Sequence, residues 1–177
     1  MPRRLRAITS NRRIHVVAIA ALVALLAAAC QVQPHASTTA AVATTQAPSP
    51  GASIERVVFD RVNADRAAAG LPTLRYNLQL AALAEDHTTY MLTTGDFSHR
   101  DLAATIREPA FAGYEWLGEN ILVGPGDMTG GGMEDAWMQS PDHRANILSP
   151  NFDSIGVSVE WGADGRVWAT QNFGGAK

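Results

Sequence analysis

Cysteine is all but missing from this chain: 177 residues contain one, Cys30. A lone thiol forms no internal disulfide, so nothing here is a disulfide-stapled scaffold. Long apolar runs are also lacking. The longest uncharged, mostly apolar stretch, Ile14 to Ala29, is 16 residues, short of the ~20 that a transmembrane helix usually needs. Acidic residues are absent from the first 50 positions, where five of the 14 basic residues lie. The remainder therefore carries nine basic against 17 acidic side chains, a net charge of −8. An acidic domain is a poor partner for nucleic acid. The glycine-rich stretch Gly124 to Gly132 lacks the spacing and the following Lys-Ser or Lys-Thr of a phosphate-binding loop, and reads as a flexible connection.

What is present divides the chain into three parts. Arg3, Arg4, Arg6, Arg12 and Arg13 lead into the apolar run, which ends in Ala27-Ala28-Ala29-Cys30. That order is an export signal, and the small residues before a single cysteine resemble a bacterial lipobox, in which Cys30 is acylated and becomes the new N-terminus. A signal cut after one of the alanines and an uncleaved anchor are the alternatives. Residues 31–53 are rich in Ala, Thr, Ser, Gln and Pro, with no Asp, Glu, Lys or Arg. They have no periodic apolar face to bury and are expected to form a flexible tether. Residues 54–177 are long enough for one domain of ordinary size.

Within that domain, Ile54, Val57, Val58 and Val62 recur at helical spacing between Ser53, a candidate N-cap, and Gly70-Leu71-Pro72. Asn77 precedes a second stripe, Leu80, Leu83, Ala84, His87 and Met91, that stops at Gly95. His87 on that stripe is expected to be a core histidine bonded to a neighbour. His99 falls on the connection that follows, beside Phe97 as an anchor. A short helix is expected from Asp101 to about Arg107, before Pro109. Leu117 to Val123 reads as a strand whose alternation puts Glu119 on one face with Leu117, Ile121 and Val123. A carboxylate there must be protonated, paired with a cation or bound to a metal, or must hold a loop through backbone N–H groups.

Met133, Ala136, Trp137 and Ser140 mark another helix, with Glu134 and Asp135 expected in solvent near its start. Ser140-Pro141 reads as an N-cap and first-turn proline opening a short helix that carries Asp142, His143 and Arg144. Ile155 to Trp161 and Arg166 to Phe173 flank Asp164-Gly165, a hairpin signal. Helices early and strands late predict an α+β arrangement in layers.

Six stretches now stand in order: Asn63-x-x-Arg66 with Gly70-Leu71-Pro72-x-Leu74, Ala81-Ala82 with His87, Phe97-Ser98-His99, Gly118-Glu119-Asn120-Ile121, Trp137-Met138-x-Ser140-Pro141-x-His143-Arg144-x-Asn146-Ile147-Leu148, and Gly156-Val157 with Thr170-Gln171-x-Phe173. Together they resemble a bacterial member of the CAP superfamily, which groups cysteine-rich secretory proteins, antigen 5 allergens and pathogenesis-related proteins. The resemblance covers residues 54–174 and implies a three-layer α-β-α sandwich. It also implies a cavity of two histidines and two glutamates that takes a divalent metal such as zinc in some members. His99 and Glu119 match the first of each. Ser140 stands where the second glutamate is expected and Trp168 where the second histidine is expected, while His143 is offered from the neighbouring helix.

Three readings of the cavity formed by His99, Glu119, Ser140 and His143 stay open. One is a binding module for a lipid or other apolar ligand, as the superfamily's lipid binding implies. A second is a metal-dependent hydrolase with His99, Glu119 and His143 as ligands. The third makes Ser140 a nucleophile with a histidine base and Glu119 as the orienting acid, against which stands a Ser140 hydroxyl expected to be engaged as a cap. A structural or interaction role in the cell envelope is the remaining alternative. Binding without turnover is the favoured expectation, in an exported domain held at the membrane through Cys30.

Overall fold

The computed structural model describes residues 50–176, with side chains from Ile54 onward. The leader, Cys30 and residues 31–49 of the tether lie outside the described residues. Helix α1 (Pro50–Ala68) starts ahead of the Ser53 expected as its cap. It is followed by β1 (Arg75–Tyr76), α2 (Leu78–Thr94), α3 (Leu102–Thr105), β2 (Tyr114–Pro125), α4 (Gly130–Gln139), α5 (Pro141–Ile147), β3 (Ser154–Trp161) and β4 (Arg166–Ala176). The strands form one sheet in the order β1-β3-β4-β2, with β1 parallel to β3 and the other neighbours antiparallel.

Two faces of that sheet are covered, which makes the domain a three-layer α-β-α sandwich. On one face α1, α4 and α5 bury Val58, Val62, Met133, Trp137 and Ile147 against Leu122, Ile155, Val157, Val167 and Phe173. On the other, α2 brings Met91 against Ile121 and Trp168, and Thr88 donates its hydroxyl to that of Thr170 at 2.8 Å. This helix lies close on the strands because Gly156 has no side chain: a Cβ there would sit 2.0 Å from the backbone nitrogen of Ala81. The position tolerates no other residue without displacing α2.

Local signals account for most boundaries. The Asn77 side chain accepts from the backbone N–H of Gln79 and Leu80, and Gly95 ends α2 in the left-handed conformation at φ 73°. The β3–β4 turn closes with Gly165 at φ 76°. The expected loop at Gly124 to Gly132 is different. Its last three glycines are the first turn of α4, because the Thr129 hydroxyl caps that turn by accepting from Gly132 N–H. Nothing bulky is needed there, and Gly130 fits against α1, with room for a Cβ only 3.1 Å from the Val57 side chain.

Two polar residues of α1 fix how its C-terminal end meets the rest. Asn63 clips Leu74 by both backbone groups, donating to its carbonyl at 3.1 Å and accepting from its N–H at 2.7 Å. Arg66, 1% exposed, donates to the carbonyls of Pro72, Ile147, Ser149 and Phe152. The Asn-x-x-Arg pattern is therefore a structural clamp. It ties α1 to the connection between α5 and β3, which also carries the site helix into place.

Candidate functional site

Strand β2 presents its residues alternately to the two helical layers, and the site straddles it. Glu119 points to the α2 side with Ile121 and is 4% exposed, whereas Asn120 points to the α5 side and is fully buried. The Glu119 carboxylate accepts three hydrogen bonds: from His99 Nδ1 at 3.0 Å, from the backbone N–H of Arg100 at 3.0 Å and from Asn172 Nδ2 at 3.2 Å. Of the four outcomes open to a buried glutamate, this one combines a histidine partner with the holding of a loop. The loop held is the connection carrying His99.

His87 has the expected core role. It is 4% exposed, and its Nε2 lies 2.9 Å from the Ser98 carbonyl. A carbonyl only accepts, so Nε2 carries the proton. The same nitrogen stands 3.6 Å from Glu119 Oε1. A core histidine thus backs the carboxylate from behind while His99 faces it from in front. Phe97 anchors the loop only in part, being 48% exposed with its ring edge-on to Trp168 at 6.2 Å.

His99 is the exposed member of the group, with 55% of its side chain open to solvent. Its Nδ1 proton is directed at Glu119, which leaves Nε2 with a free lone pair in the neutral ring. His143 comes from the first turn of α5 to within 6.5 Å of the His99 ring, centroid to centroid. Burial, reinforced by the neighbouring His99, holds the His143 pKa below the usual histidine value, against an opposing pull from Asp142.

Behind His143 runs a chain of amides. Asn120 Nδ2 donates to the His143 carbonyl and to Gln171 Oε1, Asn146 Nδ2 donates to Asn120 Oδ1 and to the Glu119 carbonyl, and Gln171 Nε2 donates to Glu134 Oε2. This network fixes α5 against β2 and so fixes the spacing of the two histidines. It also corrects the expectation for Glu134. That residue is 0% exposed, on the inner face of α4, and burial pushes its pKa up to about 8. Asp135, the next residue, is the solvated one.

Ser140 occupies the N-cap position of α5, with Pro141 following, but its hydroxyl makes no capping hydrogen bond. It is absent from the bonds around Glu119. Asp142 and Arg144 are exposed, and Trp137 is a core residue whose Nε1 donates to the Ile121 carbonyl at 3.1 Å. Trp168, 2% exposed and packed against Phe97, is a core residue of the α2 side with Met91 and Ile121.

This arrangement can be matched to known proteins. The cysteine-rich secretory protein (CAP) family pattern matches residues 59–173. The chain belongs to the CAP family. The chain is 36% identical over 138 residues to the uncharacterized protein YkwD of Bacillus subtilis, a match covering 74% of this chain and 51% of that protein. The chain spans about half of that curated relative and about a third, 34%, of a second, the uncharacterized membrane protein YlbC. Among solved structures, an extracellular SCP-domain protein of Bacillus anthracis superposes with a TM-score of 0.60 at 26% identity, over 74% of this chain and 45% of that one. An outer surface protein of Borrelia burgdorferi shares the fold alone, with a TM-score of 0.62 at 16% identity over 71% and 94% of the two chains.

The placing of His99, Glu119 and His143 raises the question of a metal. No group of three or more His, Cys, Asp or Glu side chains arranged to hold one occurs among the described residues. As placed, Glu119 is 1% exposed at its side chain and already accepts three hydrogen bonds. It acts on His99 as the outer carboxylate of a carboxylate–histidine pair does, orienting the ring. That leaves His99 Nε2 and His143 as donors, one short of the three protein ligands that zinc sites use.

Proposed function

We propose that this chain is an exported, membrane-tethered CAP domain that binds a lipid or another apolar molecule without turning it over. The observation that carries this reading is an open groove of about 450 Å³ where the start of α1 meets the β2–α4 turn and the β3–β4 hairpin. Ile54, Val57, Met128 and Trp161 line it. Val57 is 44% and Trp161 38% exposed, so apolar surface is left facing water in a concavity of the size that small-molecule ligands occupy. The Glu119 carboxylate supports the same reading by its commitments: it positions a loop, and a general base needs a lone pair within reach of substrate.

Export is supported by the leader and by the likeness to an extracellular SCP-domain protein. No helix among the described residues is long and apolar enough to cross a membrane. The attachment proposed here, through an acylated Cys30, rests on the order of basic lead, apolar run and Ala27-Ala28-Ala29-Cys30 in the sequence. Changing Cys30→Ser is expected to move the protein from the membrane fraction to the soluble exported fraction; unchanged fractionation ends the lipoprotein assignment.

Ligand binding is tested by titrating a fluorescent fatty acid into the full chain and into a Val57→Glu, Met128→Glu double variant. Two buried carboxylates against an acyl chain are expected to weaken binding by at least about tenfold. The reading fails if no added lipid binds and nothing apolar is extracted from protein made in its native envelope. It fails equally if the double variant binds as the parent does.

A further inference from the structure

Along one edge the sheet ends in an incomplete strand. β1 has two residues, which pair with Ser154 and Ile155, while β3 continues to Trp161. Among the described residues no strand pairs with β3 on that side past Ile155. The backbone pattern shows which groups are left. Asn77 N–H makes the last bond of the ladder, to the Ile155 carbonyl, so two residues further along the carbonyl of Val157 and then the N–H of Val159 point outward.

Side chains stand in for the absent strand. The Tyr76 hydroxyl donates to the Val157 carbonyl at a long 3.3 Å, and the Glu55 carboxylate accepts from Val159 N–H at 3.0 Å. These substitutes do not fill the space. A cleft of about 410 Å³ runs along the edge, with Glu55 of α1 on one wall and Ala81, Ala82 and Glu85 of α2 on the other, and Glu160 at its floor. Three glutamates line it and, among the described residues, no lysine or arginine does. Burial raises the Glu55 pKa, the bond from Val159 N–H opposes that rise, and the charges of Glu85 and Glu160 add to it, as expected where carboxylates face one another.

We propose that this cleft is a docking edge for an extended, basic peptide segment of a partner protein, which adds as a strand beside Val157–Trp161. Its main chain would take over the Val157 carbonyl and the Val159 N–H. Successive strand residues alternate in direction, so a Lys or Arg at every second position would meet Glu85 and Glu160 on the α2 side, while the intervening residues would face Glu55 and α1. An open edge supplies affinity through main-chain bonds and the flanking side chains supply specificity. Neither a lipid nor a metal ion would use both features. The cleft adjoins the apolar groove but shares no lining residue with it, and its probe, a basic peptide, leaves the lipid reading to be decided by its own titration.

The probe is an end-capped, fluorescent eight-residue peptide of alternating Thr and Arg, titrated into the full chain at fixed ionic strength. Its controls are the same peptide N-methylated at alternate residues on either register, and the Thr-Glu analogue. The peptide is expected to bind, with affinity falling about tenfold or more on N-methylation in one register and by a similar factor in Glu85→Lys. The Thr-Glu peptide is expected not to bind. Glu85 is exposed on α2, so its replacement leaves the fold intact, and an unchanged melting curve checks this. The proposal is overturned if the basic peptide does not bind, if both N-methylated forms bind as tightly as the parent, or if Glu85→Lys has no effect.

Discussion

Arg66→Ala is expected to destabilise the domain by about 4 kcal/mol, read as a fall of roughly 15–20 °C in Tm or as a lower urea midpoint at unchanged slope. The residue is 1% exposed, and among the described residues no carboxylate pairs with it. Its charge is balanced by carbonyl dipoles alone: Pro72 at 2.9 Å, Ile147 and Ser149 at 2.8 Å each, and Phe152 at 3.3 Å. Burial without a counter-charge pulls its pKa below the usual arginine value. Truncation leaves these carbonyls without their donor. An unmet buried acceptor costs ~1–3 kcal/mol, and such losses do not simply add. Arg66→Lys is expected to lie between, because one ammonium cannot reproduce a planar fork spread over four acceptors. An alanine variant within 1 kcal/mol of the parent would show that the clamp is dispensable.

That clamp illustrates which parts of the molecule its sequence discloses. Asn63, Arg66 and Leu74 were visible as a pattern, but their roles were not, because the partners Ile147, Ser149 and Phe152 lie about eighty residues downstream. Effects confined to one turn of chain read well. Asn77 caps, Gly95 ends a helix in the left-handed region, and Asp164-Gly165 turns a hairpin, each by geometry internal to a few residues. The strand alternation put Glu119 on one face with Ile121, as found, while both faces of β2 are covered and Asn120 on the other is fully buried. It could not say that Asn172 and the Arg100 N–H would satisfy the carboxylate, since both arrive from other elements.

Two expectations failed for related reasons. Gly130 to Gly132 looked like a loop because glycine is a poor helix former, yet Thr129 and the close approach of α1 favour a helix there. Glu134 looked solvated because an acid near a helix start interacts well with the dipole. Helical rotation instead turns it inward on the face of Gly130, Met133 and Trp137, toward Gln171. A residue one position after Met133 and three before Trp137 sits on the margin of the apolar stripe, and only the partner decides the issue. The Ser140 hydroxyl shows the converse: Ser-Pro predicts the cap position from backbone preference alone, and the backbone complies while the side chain makes no cap bond.

Glu134→Gln is expected to change the pH dependence of stability more than any other single replacement in the core. The carboxyl is fully buried, its Oε2 accepts from Gln171 at 2.8 Å, and its Oε1 has no partner. Burial is the main cause of the rise in its pKa from 4.5 to about 8, the Gln171 bond opposes it, and Asp65 adds to it. A raised value means that between these limits the folded state keeps a proton that the unfolded chain releases. Stability attributable to Glu134 is therefore present below about pH 4.5 and is lost as pH rises to about 8, after which it levels off. The loss over that window is on the order of 4 kcal/mol, and more than half of it has occurred by pH 7.

Glutamine has nearly the shape of the protonated acid and cannot ionise. It keeps an acceptor for Gln171 and leaves the amide chain to Asn120 and the His143 carbonyl intact. The variant should match the parent near pH 5 and exceed it by about 2–4 kcal/mol at pH 8, measured as urea unfolding free energies at the two pH values. Hydrogen exchange gives an independent readout. In the parent, amides of α5 should exchange faster at pH 8 than the intrinsic base-catalysed rate increase explains, because ionised Glu134 draws on the same amide chain; in the variant that excess should vanish. Parallel stability–pH curves for the two proteins would show that Glu134 does not titrate in this range, and an equal gain at both pH values would assign the effect to packing instead of charge.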